Sequence, residues 1–274
     1  LLILLLPGKF MAAANDIISQ FYVKHLGGDG QDVINTDCPF CKDRGFETGR
    51  LVVFLKKDSF FYGYFRCLNR CVAGGFPLWF ARLAAIPPDQ VPGYNPTQDA
   101  AIAQPDYPAE NLNNEIRSFM DRMTDAVYGM FSQAGVAKPA LTEMQAGYNG
   151  RYLVYPYVQE DGNCYAARCV YPEKPEDFFW HGNEVFGREP FNLFNVQDIK
   201  RCERGALFIC EGENNLIVLK QLGFPGVAVS SSKDFESLTA EMFDKINTVF
   251  ISASNTPESE TAAKNFASRI GSSR

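Results

Sequence analysis

The alternation of apolar and polar residues is clearest in the last quarter of the chain. An apolar stretch at residues 206–210 ends in the acidic turn Glu211-Gly212-Glu213, which is followed by three leucines at helical spacing. This order predicts a strand, a turn and a helix, and Gly223 is a suitable residue to end that helix.

The same alternation continues towards the end of the sequence. Apolar stretches at residues 226–229 and 248–253 predict two further strands, with a helix near residues 235–246 between them. A last helix is predicted after Thr256, which can cap its N-terminus while Pro257 takes the first helical position. The order βαβαβα predicts a parallel sheet covered by helices, because crossover connections between parallel strands are right-handed.

Polar residues follow each predicted strand of this sheet. Glu211, Ser230 and Ser254 come after the three apolar stretches. Ligands of such sheets bind at the carboxyl ends of the strands, where loops and helix N-termini converge. We therefore expect a functional site at that edge.

Two close pairs of cysteines lie in the first third of the chain. Cys38 pairs by spacing with Cys41, and Cys67 pairs with Cys71. Two tight turns of this kind can present four thiolates to one tetrahedral ion, and the residues between the pairs are enough for a hairpin. The spacing predicts one structural zinc ion; four buried free thiols or two disulfides are the alternatives. Eight cysteines in 274 residues are too few for a disulfide scaffold, so we expect a reducing, cytoplasmic setting.

The segment between the cysteine pairs is basic and aromatic, in a chain whose net charge is -6. Strands are predicted at residues 51–55 and 60–65, and their Phe and Tyr residues are interleaved with Lys57, Arg66 and other cations. This composition is typical of a stacking platform for single-stranded nucleic acid. It is equally typical of a small ribbon core with a charged, solvated face. The aromatic residues concerned are Phe54, Phe60, Phe61, Tyr62, Tyr64 and Phe65.

A hairpin is predicted in the middle of the chain, because Asp161-Gly162 lies between two apolar stretches. Arg151 and Arg168 on its strands are candidates to line a groove for a template, or they belong to a solvated strand face. Residues 171–195 are aromatic and irregular in pattern. With only two histidines in the chain, a Ser-His-Asp arrangement is excluded as the basis of catalysis.

Composition divides the chain into five segments. Six prolines between residues 87 and 114 indicate a linker, so the zinc module is expected to be a separate, tethered domain. The apolar start of the sequence is too short to cross a bilayer, which takes roughly 20 residues. The segments are a leader or extension at 1–11, a zinc-binding ribbon domain at 12–86, the linker at 87–114, the N-terminal part of a core at 115–205 and the parallel-sheet module at 206–274.

The order of these features resembles DnaG-type primases, and in particular the primase halves of phage helicase-primases and Twinkle-like proteins. The resemblance rests on the cysteine ribbon, the Pro-rich tether, the segment GYNGRYLVYPY at 147–157, the Asp-Gly hairpin and Glu211-Gly212-Glu213, from about residue 12 onward. It implies an α/β fold, α+β overall, with a β-rich zinc ribbon tethered to a primase core. The parallel-sheet module would be the Toprim module of that core.

In that family, Toprim carboxylates hold Mg²⁺ or Mn²⁺. The resemblance makes Glu211 the metal ligand or general base, with Glu213 beside it as a second catalytic candidate. The family has an aspartate where this chain has Asn215, and Asp-x-Asp where this chain has Ser254 and Thr256. The final acidic turn and strand of the module would lie beyond the end of the sequence.

The replaced acids bear on catalysis, because hydroxyls and amides hold a hard divalent cation less well than carboxylates do. Asp234, Glu258 and Glu260 are candidates to compensate. The last two are also well placed for the first turn of a helix, where a negative charge is favourable.

Two functions follow from the resemblance. The first is a primase-like nucleotidyltransferase that makes short RNA primers on single-stranded DNA from nucleoside triphosphates. The second is a degenerate Toprim protein that binds single-stranded DNA or a replication partner, such as a replicative helicase, without catalysis. A third hypothesis, a Toprim nuclease or topoisomerase-like protein, lacks a candidate nucleophilic tyrosine. The residues expected to contact nucleotide or template are Lys57, Arg66, Arg151, Arg168 and Lys233.

Overall fold

The protein is mixed α/β, as predicted, with one three-stranded and two four-stranded sheets among the residues described. The computed structural model describes residues 2–4, 11–30, 32–47, 49–96, 106–132, 135–188 and 191–271. The elements are β1 (Leu2–Leu4), α1 (Met11–Leu26), β2 (Val33–Asp37), β3 (Arg50–Phe54), β4 (Phe65–Cys67), α2 (Pro77–Leu83), α3 (Asn113–Asp121), α4 (Asp125–Ser132), α5 (Lys138–Glu143), β5 (Gly147–Tyr148), β6 (Leu153–Val158), β7 (Cys164–Tyr171), β8 (Lys174–Gly182), α6 (Gln197–Arg201), β9 (Ala206–Glu211), α7 (Glu213–Gln221), β10 (Gly226–Val229), β11 (Thr248–Ser252) and α8 (Pro257–Ile270). In these segments, every helix is too short or too polar to span a membrane.

The three-stranded sheet is an antiparallel ribbon in the order β2-β3-β4. Leu51 and Val53 alternate with less buried neighbours along β3, so one face of the ribbon closes over a core shared with α1 and α2. The strand predicted at 51–55 is confirmed. The strand predicted at 60–65 is wrong except for its last residue, because the main chain turns instead, with the Tyr62 N–H bonded to the Ser59 carbonyl.

The second sheet is antiparallel in the order β5-β6-β7-β8. Its β6-β7 hairpin turns at Gly162, whose φ of +86° favours glycine, as the Asp-Gly pair predicts. The interpretation of residues 171–195 as irregular is wrong for β8. This strand is at the edge of its sheet and largely exposed, so it lacks the apolar alternation by which strands are recognised.

The last sheet has β9 at its centre, with β10 and β11 parallel to it on either side. The predicted parallel arrangement is therefore confirmed. The start of α8 is also as predicted, because the Thr256 side chain accepts a hydrogen bond from the Ser259 N–H. The helix predicted at 235–246 is wrong. Two short 3-10 turns, Ser232–Glu236 and Ala240–Phe243, replace it, because Thr239 between them has an extended backbone.

The fourth strand of this sheet comes from the start of the chain. β1 pairs antiparallel with β11, with Leu2 opposite Ser252 and Leu4 opposite Phe250. We expected residues 1–11 to be a leader outside the fold. The pairing corrects that expectation for Leu2–Leu4, whose main chain extends the parallel module by one antiparallel edge strand.

The ribbon packs directly on the parallel sheet through aromatic rings. The Phe60 ring lies 5.0 Å from the Phe208 ring and 5.0 Å from the Phe250 ring, and the Phe61 ring stacks on Phe224 at 5.0 Å. Within the ribbon, Phe65 is fully buried. The stacking-platform interpretation is therefore wrong for these rings, which are covered by the sheet and by the ribbon's own core.

A second contact joins the ribbon to the segment before β9. The Phe76 ring lies so close to Gly205 that a Cβ at that position would overlap it. Arg82 of α2 donates a hydrogen bond of 2.7 Å to the buried carboxylate of Glu203. We expected a module held by its linker alone. The structure instead packs ribbon and sheet around a shared core, because the ribbon's aromatic residues are buried against the sheet.

Candidate metal centre and sheet-edge site

Four cysteine side chains converge beside the ribbon. The Sγ atoms of Cys38 and Cys71 are 3.6 Å apart, those of Cys41 and Cys67 are 3.7 Å apart, and those of Cys67 and Cys71 are 3.4 Å apart. Thiolates bound tetrahedrally to one zinc ion at about 2.3 Å lie about 3.8 Å from one another. The sulfurs of a disulfide lie at about 2.05 Å. The cluster therefore fits one ion, and the two-disulfide alternative is wrong, since all four cysteines are free.

Two neighbours shape this cluster in ways that the cysteine spacing did not reveal. Asn69 directs its side-chain amide to the Sγ atom of Cys41 at 3.8 Å. A Cβ at Gly49 would lie 2.7 Å from the same sulfur, so the position needs a glycine. Such neighbours orient ligands and stabilise their charged form.

Burial governs the protonation of these thiols. It raises the pKa of Cys38 to about 11 and raises that of Cys71 further. Burial also acts to raise the pKa of Cys67, but the main-chain N–H of Cys71 and the neighbouring thiols lower it overall. A thiolate is the form that binds metal. Of these three thiols, Cys67 therefore loses its proton most readily, and a bound cation would stabilise the thiolate forms.

Glu211 is the last residue of β9, and hydrogen bonds fix its position at the sheet edge. Its Oε2 atom accepts a bond of 2.9 Å from the main-chain N–H of Ser254. Its own carbonyl accepts a bond of 2.7 Å from the side-chain amide of Asn215. Gly212 follows with a φ of +89°, and its N–H donates to the Val229 carbonyl at 2.7 Å. These bonds tie together the ends of all three parallel strands.

Glu213, the second acid of the turn, lies in a buried ion pair. Nη1 of Arg168 donates to both of its carboxylate oxygens, at 3.0 and 2.8 Å, and the Tyr157 hydroxyl donates at 2.8 Å. Glu213 is only 4% exposed and Arg168 only 8%. Although burial acts to lower it, the pKa of Arg168 is raised by the adjacent Glu213 carboxylate. The predicted catalytic candidate therefore has its charge balanced within the protein.

The three positions at which the resemblance implies acids have structural partners. Asn215 bonds to the Glu211 carbonyl, as described, and Ser254 uses its main-chain N–H to hold Glu211. The Thr256 side chain caps α8 through the Ser259 N–H at 3.2 Å. Among the residues described, the four cysteines are the only group of three or more His, Cys, Asp or Glu side chains placed to hold one metal ion. Within the described residues, the sheet edge therefore has no cluster of carboxylates that could hold a metal ion.

The three acids considered as substitutes for the missing metal ligands have other roles in the structure. Asp234 accepts hydrogen bonds from the Ser230 hydroxyl at 2.6 Å and from the Ser231 N–H at 2.9 Å, and so caps the turn after β10. Glu260 pairs with Lys264 at 2.6 Å on α8. Glu258 lies exposed in the first turn of that helix. Their placement agrees with capping and helix-dipole roles.

A cavity of about 450 Å³ opens beside this edge, between β6 and β7 on one side and the turn at the start of α7 on the other. Arg168 and Glu213 are its charged lining residues, and they neutralise each other. Asn214, Asn215, Ser230, Tyr155 and Tyr171 supply further polar groups, and Glu211 is not among the described lining residues. The rest of the lining is apolar: Met130, Leu153, Val170, Pro172 and Pro175. A lining whose charges cancel suits a neutral, hydrogen-bonding ligand better than a hydrated divalent cation.

The five basic residues predicted to contact nucleotide or template are not brought to one place. Arg168 lines the sheet-edge cavity, and Arg66 lines a second cavity beneath the ribbon. The Arg151 guanidinium lies over the Tyr152 ring at 5.3 Å. Lys57 and Lys233 are exposed and line neither cavity.

Some residues that build this region were not singled out from the sequence. Tyr155 and Tyr157 stand two apart on β6 and reach Asn214 and Glu213. Their alternation was the available signal, since residues two apart in a strand share a face. Asp198 is fully buried, and bonds to Arg201 at 2.6 Å and to Lys220 at 2.7 Å. Its only local signal was a cation three residues later.

Comparison with known proteins was made by sequence and by structure. No protein-family model and no curated protein matches the sequence. Among solved structures, the chain is similar to the DnaG catalytic core at 13% identity and a TM-score of 0.46, covering 58% of this chain and 65% of that one. The chain thus spans slightly less than two thirds of that protein.

Two further solved structures are similar over more of the chain. The primase fragment of the bacteriophage T7 primase-helicase protein shares 15% identity at a TM-score of 0.42, covering 76% of each chain. The zinc-binding and RNA polymerase domains of the Aquifex aeolicus primase share 13% identity at a TM-score of 0.45, covering 94% of this chain and 76% of that one. These three solved structures are of primases, the family that the sequence resembles. These identities and TM-scores are too low to indicate an activity, which must be inferred from the chain's own residues.

Proposed function

We propose that this chain is a primase-like protein of DNA replication that binds single-stranded DNA, and that its sheet edge serves binding without metal-dependent primer synthesis. One observation carries the second half of this proposal. Each position of the edge at which the family resemblance implies an acid has a partner within the chain: Asn215 binds a carbonyl, Ser254 binds Glu211 and Thr256 caps α8. These side chains are an amide and two hydroxyls, which bind Mg²⁺ weakly.

The charge of Glu213 supports the same proposal. A buried carboxylate paired with Arg168 and Tyr157 cannot face a hydrated ion without breaking that pair. Removing one partner of a buried ion pair leaves an uncompensated charge, at a cost of about 3–5 kcal/mol. Metal binding by Glu213 would have to offset that cost.

We propose one structural zinc ion on Cys38, Cys41, Cys67 and Cys71. The sulfur separations and the free thiols support it. The ion would hold the two turns at the base of the ribbon, whose small core has no other cross-link among the residues described. Zinc would thereby help to hold the ribbon, which carries Lys57, one of the cations that we assign to DNA.

Contacts to single-stranded DNA are assigned to exposed cations rather than to the ribbon's aromatic rings. Arg151, Lys57 and Lys233 are exposed at the surface, where cations meet the phosphates of a bound strand. Arg151 also lies beside the Tyr152 and Tyr171 rings, an arrangement that suits stacking of a base next to a phosphate contact. A replicative helicase is the partner class that the family resemblance suggests.

Primer synthesis from nucleoside triphosphates is the second candidate function. It is favoured by Glu211, which retains the family position at the end of β9 and is only half-buried. Mg²⁺ can be held by one or two carboxylates when substrate phosphates complete its shell. Under this hypothesis, Glu211 would be the protein's ligand and the nucleotide would bring the metal.

The deciding experiment compares the chain with Glu211→Gln on single-stranded DNA. Binding is measured by fluorescence anisotropy, and synthesis by incorporation of labelled ribonucleotides with Mg²⁺ or Mn²⁺. We expect binding by both proteins and products from neither. Products that disappear in Glu211→Gln would establish primer synthesis instead. Absence of DNA binding by a zinc-loaded, folded chain would contradict both candidates.

A further inference from the structure

A second cavity, of about 470 Å³, lies between the ribbon and the core, away from the sheet edge. Its walls come from five parts of the chain: residues 64–74 of the ribbon, residues 139–145 of α5 and the segment after it, residues 156–158 of β6, residues 194–201, and residues 220–224 at the C-terminal end of α7. Volumes of this size are typical of sites for small ligands. The proposed function makes no use of this cavity.

The cavity is positively charged in an acidic protein. Arg66, Arg70, Arg201 and Lys220 line it, and Glu143 is the only acid among its described lining residues. Arg70 pairs with Glu143 at 3.1 Å, and the buried Asp198 behind the wall pairs with both Arg201 and Lys220. Four cations against two carboxylates leave two positive charges unbalanced. The chain as a whole carries a net charge of -6, so this excess is local.

Arg66 is the cation of this wall that has no acidic partner. It stands on β4 between two buried residues, is half-buried itself, and its guanidinium has no hydrogen bond or ion pair within the described part of the chain. Its side chain rests against Gly223, where a Cβ would overlap Nη1 and where φ is +94°. The glycine leaves room for the guanidinium at the cavity wall. Guanidinium groups bind phosphate oxygens in a bidentate manner.

The rest of the wall is apolar and aromatic. Tyr64, Phe194 and Phe224 line the cavity together with Val72 and Met144. A ligand that fits must therefore combine a compact anionic group with a flat or apolar body. A cavity lined by five chain segments suits a small molecule better than an extended strand, which needs an open groove.

We propose that this cavity binds a phosphorylated small molecule of nucleotide size. Its phosphate would bind Arg66 and the two cations that flank Asp198, Arg201 and Lys220, and its body would pack against the aromatic wall. Such a ligand would touch the ribbon and the core at once. Its binding would therefore strengthen the contact between them, since a ligand stabilises the arrangement to which it binds.

The test is calorimetric titration of the zinc-loaded chain with AMP and, separately, with inorganic pyrophosphate, with no divalent salt added. We expect saturable binding that Arg66→Gln weakens by about tenfold or more. The matched control is Arg44→Gln, which removes the same charge from an exposed position of the same module. We expect it to change affinity by less than about twofold. Tighter binding of AMP than of pyrophosphate would identify a nucleotide; equal binding would identify the phosphate group alone.

A second measurement does not depend on the folding of a variant. Hydrogen exchange of the unmodified chain should slow at residues 64–74 and 220–224 on addition of AMP, and not at residues 212–215 of the sheet edge. No saturable binding, equal losses in both variants, protection confined to the sheet edge, or binding of oligonucleotides only would each overturn the proposal. None of these results would bear on the proposed DNA binding by Arg151 and the other exposed cations.

Discussion

The main-chain N–H of Ser254 donates a hydrogen bond of 2.9 Å to Oε2 of Glu211, so the loop after β11 fastens the last residue of β9. This bond uses one of the two carboxylate oxygens of Glu211. The same loop carries the hydroxyl groups of Ser254 and Thr256. The sheet edge is thus held by contacts within the chain.

The buried pair of Arg168 and Glu213 predicts a large stability effect. Arg168→Met removes the partner of a carboxylate that is 4% exposed. We expect the free energy of unfolding to fall by about 3–5 kcal/mol, as measured by urea denaturation. The double variant Arg168→Met/Glu213→Gln should recover much of the loss, because no charge then remains buried. A single variant as stable as the original chain would contradict the assignment.

The cysteine cluster predicts one metal ion per chain. Metal analysis of the purified chain should give about one equivalent of zinc. Cys67→Ser should lower that content and the unfolding temperature. The matched control is Cys169→Ala, which alters a buried cysteine on β7 outside the cluster and should keep the zinc. Thiol titration that finds the cluster oxidised to disulfides would refute the site.

Asp198 predicts a pH-dependent contribution to stability. Burial acts to raise the pKa of its carboxyl, but Lys220 and Arg201 lower it overall. The folded-state pKa therefore lies below the unfolded value of about 3.9. The contribution is complete above that pH and is lost as pH falls through the folded-state pKa.

Asp198→Asn should accordingly lower the free energy of unfolding by about 3–5 kcal/mol at pH 7. The difference between the two proteins should begin to shrink below about pH 4 and should disappear below the lower folded-state pKa of Asp198, where the carboxyl is protonated in both states. A difference that stays constant across that range would show that the charge of Asp198 has no part in the effect.

Gly205 predicts a steric effect at the contact between ribbon and core. A methyl group there would overlap the Phe76 ring. Gly205→Ala should therefore lower the free energy of unfolding by about 1–3 kcal/mol. Gly129→Ala is the control, since nothing lies within 4 Å of a Cβ at that position of α4. It should raise stability by about 0.5–1 kcal/mol through helix propensity. Equal effects of both changes would contradict the packing.

The parallel module could be predicted because its signals are local. Strand-length apolar stretches, the Glu-Gly-Glu turn and the Thr256-Pro257 start of α8 each report on a few neighbouring residues. The spacing of the cysteine pairs also indicates their chemistry, because two close pairs of thiolates can bind one metal ion. These elements therefore match the sequence predictions closely.

The remaining features depend on distant partners. The Tyr157 hydroxyl reaches Glu213 across 56 positions, and Ser254 reaches Glu211 across 43. A single sequence contains no pattern for such pairs. The aromatic residues near position 60 illustrate the same point. Their composition fits a surface for bases as well as a buried contact, and only the proximity of Phe208 and Phe250 decides between them.

The rings of Phe60 and Phe61, set on Phe208 and Phe224, make the ribbon and the sheet thermodynamically interdependent. Coupling between two sites is reciprocal, so occupancy at one end must alter affinity at the other by the same factor. Loss of a metal ion from the cysteines would then lower the affinity for a ligand at the carboxyl ends of the parallel strands, which are far away in the sequence. A ligand bound at those ends should, in return, raise the affinity of the cysteines for the metal ion.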